Sequence, residues 1–333
     1  MYKILLVIVI LLILFSSVFS QSLSDIVSKG TLEEVQKAID TWANINERNS
    51  YGFTPLMLAA FNNQNPEVIT ALTKAGAYIN DRNLNGTTPL MLAAMNNQNP
   101  EVITALIKAG ANVKERDSNG MTPLILAAGK NQNPEVVTTL IKAGADANES
   151  DSEGLTSLMY AAGFNQNPVV ATALIKAGAN INEHDSNGVT PLMLAAHKNQ
   201  NPEVITVLIK AGANVHKRAS YGGTSLMCAA MNNQNPEVIT VLIKEGANVN
   251  ESNSEGLTPL MYAAMNNQNP EVITILLKSG ANGKLKDNKG KTAFYYSKDN
   301  ENVEGTAAYR ELKEGPIQVS FINLRPMFTN RTR

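Results

Sequence analysis

Hydrophobic and polar positions repeat along this chain with a period of 34 residues, between residues 52 and 289. Each period contains an apolar segment close to T-P-L-x-x-A-A, a polar turn N-Q-N-P, and a segment whose apolar residues have helical spacing. Self-similarity at a fixed period of this kind indicates stacked units that share one continuous core. The pattern predicts two helices in each of seven units, which begin at Thr54, Thr88, Thr122, Thr156, Thr190, Thr224 and Thr258.

The polar residues of a unit mark where its helices begin and end. Thr54 is suited to cap the first helix, with Pro55 at the first helical position, where a missing N–H is harmless. Asn65 and Pro66 predict the same arrangement for the second helix, and Gly76 predicts its end. The segment between one unit and the next is rich in Asn, Asp and Gly, which predicts a turn or a hairpin finger.

Residue content identifies the repeat class. Tetratricopeptide repeats share the 34-residue period but need large aromatic residues, and this chain has one Trp and 5% aromatic residues. The unit G-x-T-P-L-x-x-A-A, followed by a second helix that ends near K-A-G-A-N, closely resembles the ankyrin repeat over residues 22–314. This resemblance implies an all-α repeat solenoid of paired antiparallel helices, with a β-turn or hairpin finger in each unit.

The same comparison divides the chain. We expect an amino-terminal capping repeat at residues 21–51, seven repeats at 52–289, a carboxy-terminal capping repeat at 290–315 and a tail at 316–333. Lys3 precedes an apolar run from Ile4 to Phe15, which is shorter than the roughly 20 residues of a membrane span. Residues 1–20 therefore match a secretory signal peptide with cleavage after Ser20, and an uncleaved anchor is the alternative.

Three recurring or isolated features have both a structural and a functional interpretation. The N-Q-N-P turn favours capping and hydrogen bonds between stacked turns over a ligand-binding asparagine ladder. In the ankyrin repeat, a His commonly follows T-P-L, whereas this chain has Met or Ile there, which favours buried packing over a methionine metal site. Cys228 occupies a position that holds Leu in other units, so we expect a buried apolar residue and not a nucleophile.

Positions that vary between units, near the shared Gly and after the Ala pair, are the candidates for binding. In ankyrin proteins these positions line the concave face, and here they are rich in aromatic residues and Met, which are enriched at protein interfaces. The candidate protein-binding residues are Tyr51, Phe53, Phe61, Leu84, Met95, Met121, Lys130, Leu155, Phe164, His197, Lys198, Tyr221, Met231, Leu257 and Met265.

Charge and chemistry narrow the function. The net charge is −1 with no block of like charge, which argues against nucleic-acid binding. His184, His197 and His216 lack ligand-like spacing, and no nucleophile–base pair or phosphate-binding glycine loop is evident. We therefore expect no catalytic residue, no cofactor and no metal site. A hydrolase within the last 45 residues is the enzymatic alternative, and it has no nucleophile–base pair to support it.

The sequence thus predicts a monomeric, non-catalytic scaffold that binds a partner protein through the concave face of an ankyrin solenoid. The signal peptide adds export to the periplasm or secretion, with no membrane contact beyond targeting. A secreted effector that binds host proteins and a self-assembling envelope protein remain alternatives.

Overall fold

The computed structural model describes residues 23–41 and 44–314, and this part of the chain contains 18 helices and no strand. It confirms an all-α solenoid in which each unit has two helices. The predicted signal peptide and the predicted tail lie outside the described residues. Before the seven units come α1 (Leu23–Lys29) and α2 (Leu32–Thr41), and after them come α17 (Ala293–Ser297) and α18 (Ala307–Glu314).

The first helix of each unit has eight residues and the second has nine. The first helices are α3 (Pro55–Asn62), α5 (Pro89–Asn96), α7 (Pro123–Lys130), α9 (Ser157–Phe164), α11 (Pro191–Lys198), α13 (Ser225–Asn232) and α15 (Pro259–Asn266). The second helices are α4 (Pro66–Lys74), α6 (Pro100–Lys108), α8 (Pro134–Lys142), α10 (Pro168–Lys176), α12 (Pro202–Lys210), α14 (Pro236–Lys244) and α16 (Pro270–Lys278).

The capping residues act as the sequence predicts. The Thr54 side chain accepts a hydrogen bond from the Met57 amide, and Asn65 Oδ1 accepts one from the Glu67 amide at 2.9 Å. Gly76 has φ +94°, a left-handed conformation that favours glycine at a helix end. Local hydrogen-bonding chemistry therefore fixes both ends of the helices before any contact between units is considered.

The fingers are tight turns organised by one side chain. Asn83 Oδ1 accepts hydrogen bonds from the amides of Asn85 and Thr87, and the Asn83 amide donates to the Thr87 carbonyl at 3.1 Å. Asp or Asn makes the same contacts in most other fingers. Among the described residues, Ser150 and Thr156 form one isolated β-bridge, so the fingers are turns and not extended hairpins.

The core lies between the two rows of helices. Ala59 and Ala60 are fully buried, and their small side chains let neighbouring first helices approach closely. The position that follows T-P-L is buried in every unit, as in Met57 and Met91, which confirms its predicted packing role. The first helices pack together more extensively than the second helices do. Because a stack curves toward its tighter side, we infer that the first helices face the concave side.

The N-Q-N-P turns form a ladder of buried amides. Asn97 Nδ2 donates to the carbonyls of Ala60 and Asn63, in the preceding unit, at 3.0 and 2.8 Å. Its Oδ1 accepts from the Asn99 amide, so the side chain is fully occupied. Equivalent bonds extend to Asn300. The structure favours the structural interpretation of the turn over a ligand-binding ladder.

Candidate protein-binding surface

The predicted binding residues differ in exposure. Those with exposed side chains are Tyr51, Leu84, Lys130, Phe164, Lys198 and Tyr221. Those that are half-buried are Phe53, Phe61, Met95, Met121, Leu155, His197, Met231 and Met265. The structure brings them into rows along the first helices and the fingers, because the same position in each unit faces the same side of the stack.

Leu257 corrects the expectation of exposure. Only 7% of this residue is accessible, and it belongs to the hydrophobic core. Its amide donates to Asn253 Oδ1, while Asn253 Nδ2 contacts the Tyr262 hydroxyl at 3.0 Å. The finger is thereby joined to α15, and Leu257 is enclosed between them. A partner protein therefore cannot contact the Leu257 side chain without moving this finger.

Tyrosines join the fingers to the first helices. Tyr160 of α9 donates its hydroxyl proton to Asp151 Oδ2 at 2.8 Å, and Tyr296 of α17 donates to Asp287. Burial and this hydrogen bond both raise the pKa of Tyr160, so the phenol stays protonated. Sequence reasoning missed these contacts. The available signal was a Tyr in a position that usually holds Leu, nine residues after an Asp or Asn.

In one unit the tyrosine lies on the finger and its partner lies on the first helix. Tyr221, at a finger tip, places its hydroxyl 3.8 Å from the Sγ of Cys228 in α13. Its ring covers Gly223, because a Cβ on Gly223 would lie 2.2 Å from a ring carbon of Tyr221. Cys228 is only 8% exposed, and burial raises the pKa of its thiol. The structure confirms the predicted burial of Cys228.

The face formed by the first helices carries an asymmetric charge. The first helices of the seven units contain no Asp or Glu, and their basic residues are the lysines Lys130 and Lys198 and the imidazole of His197. His197 Nδ1 lies 3.4 Å from the Cys228 carbonyl oxygen, and burial lowers the pKa of the imidazole. The structure therefore presents apolar side chains with isolated positive charges and no acidic residue on these helices.

Arginine side chains connect several neighbouring fingers. Arg48 Nη1 donates to the Arg82 carbonyl at 2.7 Å, and Arg218 pairs with Glu251 at 2.5 Å. Arg116 and Glu149 form a similar pair at 3.4 Å. These arginines are partly exposed, so each ion pair contributes about 0–1 kcal/mol. Their guanidinium groups already bind the adjacent finger and are poorly placed to bind a separate anion.

The described part of the chain offers neither a metal-binding cluster nor a membrane-spanning helix. Residues 23–41 and 44–314 contain no group of three or more His, Cys, Asp or Glu that could hold a metal ion. Within the same ranges, no helix combines the length and the apolar character needed to cross a bilayer.

The fold and its exposed rows define a solenoid of the ankyrin type. The profile of the family described as "Ankyrin repeats (3 copies)" matches residues 62–151, 125–219 and 226–307, and the chain belongs to this family. Ankyrin-repeat domains are generally non-enzymatic interaction modules, and this protein is a protein-interaction scaffold.

Known structures support the fold. The crystal structure of the human ASB11 ankyrin repeat domain is similar to this chain with a TM-score of 0.60 and 23% sequence identity. That similarity covers 68% of this chain and 99% of the human domain. At this identity the match shows the fold alone. No curated protein sequence matches the chain.

Proposed function

We propose that this protein is an exported scaffold that binds a partner protein through its first helices and fingers. The main support is the combination of exposed apolar side chains and the absence of acidic residues on the first helices. Tyr51 is 70% exposed and Leu84 is 76% exposed, both on neighbouring finger tips. Large apolar side chains exposed in this way are typical of an interaction surface.

The rigidity of the scaffold supports the same proposal. The buried asparagine ladder and the capped helices hold the half-buried Phe61, Met95, Met231 and Met265 in one row on the first helices. A surface that is ordered before binding loses little conformational entropy when the partner arrives. The flexible Met side chains adapt to an irregular partner surface, and the Phe ring offers a large apolar area.

The binding face is tested with two matched variants. The first changes Phe61, Met95, Met231 and Met265 to Ala on the first helices. The second changes Thr70, Thr104, Thr240 and Thr274 to Ala on the second helices. Proteins captured from extracts of the native cells by the wild-type chain are identified by mass spectrometry, purified and titrated by calorimetry.

The two variants distinguish binding through the first helices from binding through the second helices. We expect the first-helix variant to lose at least about tenfold in affinity, which corresponds to roughly 1.4 kcal/mol. The second-helix variant should bind as the wild type does. Equal affinity for the wild type and the first-helix variant, with circular dichroism showing that both are folded, would overturn the proposed binding face.

The export component rests on the first 20 residues alone. A protein isolated from the producing cells should begin at Gln21, and amino-terminal sequencing of the periplasmic and extracellular fractions would show this. A chain that retains Met1 and stays with the cytosolic fraction would contradict export and leave the binding proposal unchanged.

A further inference from the structure

Three consecutive units differ from the others at the exposed last residue of the first helix. The other four units have Asn at this position, whereas the central units have Lys130, Phe164 and Lys198. All three side chains are exposed, and Phe164 is 40% exposed. Capping of the following turn does not require these residues, because Asn165 and its equivalents supply the buried amides.

The unit that contains Phe164 differs from the other units at a second position. Its second helix has Val169 at the position where the other six units have Glu, and Val169 is 51% exposed. A Glu here is favourable because it lies at the positive end of the helix dipole. Its replacement by Val therefore forgoes helix stabilisation and exposes an apolar side chain at the start of α10.

The Phe164 side chain is held in place by its neighbours. Its ring centroid is 5.7 Å from that of Tyr160, and Lys198 Nζ is 5.3 Å from it. Gly129 makes room for Tyr160, since a Cβ there would lie 3.2 Å from Tyr160 Cδ1. An aromatic side chain that is already ordered is a favourable anchor for a partner.

The charge along this edge also changes in the central units. A sibling unit has one Glu at the start of its second helix and a neutral Asn before the turn. In the central units Lys130 accompanies Glu135, Lys198 accompanies Glu203, and the Phe164 unit has neither charge. The three central units therefore carry no net negative charge at these two positions, and Phe164 lies in the middle unit of the three. We call Lys130, Phe164 and Lys198 the central patch.

We infer that the central patch docks an extended acidic segment of the partner protein, with an apolar side chain seated on Phe164. Lys130 and Lys198 are two units apart, which corresponds to roughly 16–20 Å at a helix spacing of about 8–10 Å. An extended chain rises about 3.3 Å per residue. The two acidic positions should therefore be about five or six residues apart, with the apolar residue between them.

This inference rests on the proposed function, because it names the partner chemistry at one part of the same binding surface. Its test is selection from a random peptide library displayed on phage, with the full wild-type chain as the target. The matched control restores the residues of the other units through Lys130→Asn, Phe164→Asn and Lys198→Asn. A second control is the first-helix Ala variant described above, and each single reversion is also measured.

We expect enriched peptides to place acidic residues on both sides of an apolar residue. Their affinity, measured by fluorescence anisotropy on synthetic copies, should fall roughly tenfold or more in the reverted chain and decrease with added salt. Peptides that are neutral or basic, or that bind the reverted chain equally well, overturn the inference. If such peptides are lost in the first-helix Ala variant, the proposed function stands while the inference fails. Loss in neither variant counts against both.

Two further occupants are distinguished in the same experiment. Light scattering would show a second copy on the patch if the wild type self-associates and the reverted chain does not. Vesicles of phosphatidylserine would show a lipid surface if they bind only the wild type. Either result overturns the assignment of an acidic protein segment.

Discussion

The side-chain amide of Asn131 donates a hydrogen bond to the backbone carbonyl oxygen of Asn97, one unit earlier, at 2.8 Å. The same amide donates to the Ala94 carbonyl at 3.0 Å, and its Oδ1 accepts from the Asn133 amide. Asn131 is fully buried, so no solvent competes for these groups. One side chain therefore joins two units and orders the turn to which it belongs.

Removing this amide should destabilise the solenoid. We expect Asn131→Ala to lower the free energy of unfolding by about 2–4 kcal/mol, because it leaves two buried carbonyls without a donor. Asn131→Asp should be worse, since a buried carboxylate would face the same two carbonyl oxygens. Urea denaturation followed by circular dichroism measures both.

The adjacent residue offers a matched control for this prediction. Gln132 is exposed, and only its backbone carbonyl enters the ladder, as acceptor for Asn167. Gln132→Ala should therefore unfold at nearly the wild-type urea concentration. If Asn131→Ala were as stable as Gln132→Ala, the ladder would not be a source of stability.

The sequence was sufficient for the features that depend on local chemistry. Thr54, Asn65 and Gly76 predict the helix ends. Helix capping and a left-handed φ angle depend only on residues a few positions apart, so the sequence pattern is enough to recognise them. The lateral contacts were not predictable in the same way. The burial of Leu257 depends on how its finger packs against the following helix. The repeat period gives no information about that packing.

For the candidate site residues too, the sequence predicts some features and not others. The rows were predictable because the period puts equivalent positions on one face. The contact of Phe164 with Tyr160 was not, since Tyr160 occupies the space left by Gly129. Gly129 lies one unit before the unit that contains Tyr160 and Phe164.

Neighbouring units meet at joints where an Asn of one finger bonds the next unit. Two of these joints lack the pair of hydrogen bonds that the others have. Asn80 Nδ2 donates to the Gly110 carbonyl, while its Oδ1 accepts from the Asn112 amide, and four equivalent asparagines do the same. Lys114 and His216 occupy this position in two other units. The two joints that follow them therefore lack both hydrogen bonds.

Restoring the amide should strengthen these joints. We expect Lys114→Asn and His216→Asn each to stabilise the protein by about 0.5–1 kcal/mol, as for exposed intramolecular hydrogen bonds. Calorimetric melting temperatures of the single and double variants measure this, and additive effects are expected because the joints are distant. The reverse change, Asn80→Lys, is the control and should lower the melting temperature.

The half-buried imidazole of His197 should make stability depend on pH. Burial lowers its pKa in the folded chain, so the unfolded chain binds the proton more readily below the ordinary histidine pKa of about 6.5. Stability should then fall as pH decreases from about 6.5 to the lower pKa of the folded state, and should be unaffected by this group at higher pH. His197→Met, which introduces the residue found at Met95 and Met231, removes the effect.

The measurement for His197 is the difference in urea midpoint between the wild type and His197→Met at about pH 7.5 and about pH 5.5, on either side of the ordinary pKa. Other titrating groups cancel in this difference. A difference that is the same at both pH values would contradict a lowered pKa of the His197 imidazole.

Two units begin their first helix with Ser where the other five have Pro. The hydroxyls of Ser157 and Ser225 are buried and have no hydrogen-bond partner. The preceding residues, Thr156 and Thr224, have ψ near 165°, the extended conformation that a following proline requires. Proline at the first helical position also reduces the conformational entropy of the unfolded chain.

Ser157→Pro and Ser225→Pro should therefore stabilise the protein for two reasons that act together. Removal of an unpaired buried hydroxyl contributes about 1 kcal/mol or more, and the proline contributes about 0.4–1 kcal/mol. Ser157→Ala separates these contributions, because it removes the hydroxyl without the ring and should give an intermediate melting temperature. A Ser157→Pro chain that melts below the Ser157→Ala chain would show that the ring does not fit, against the backbone geometry shared with the five proline units.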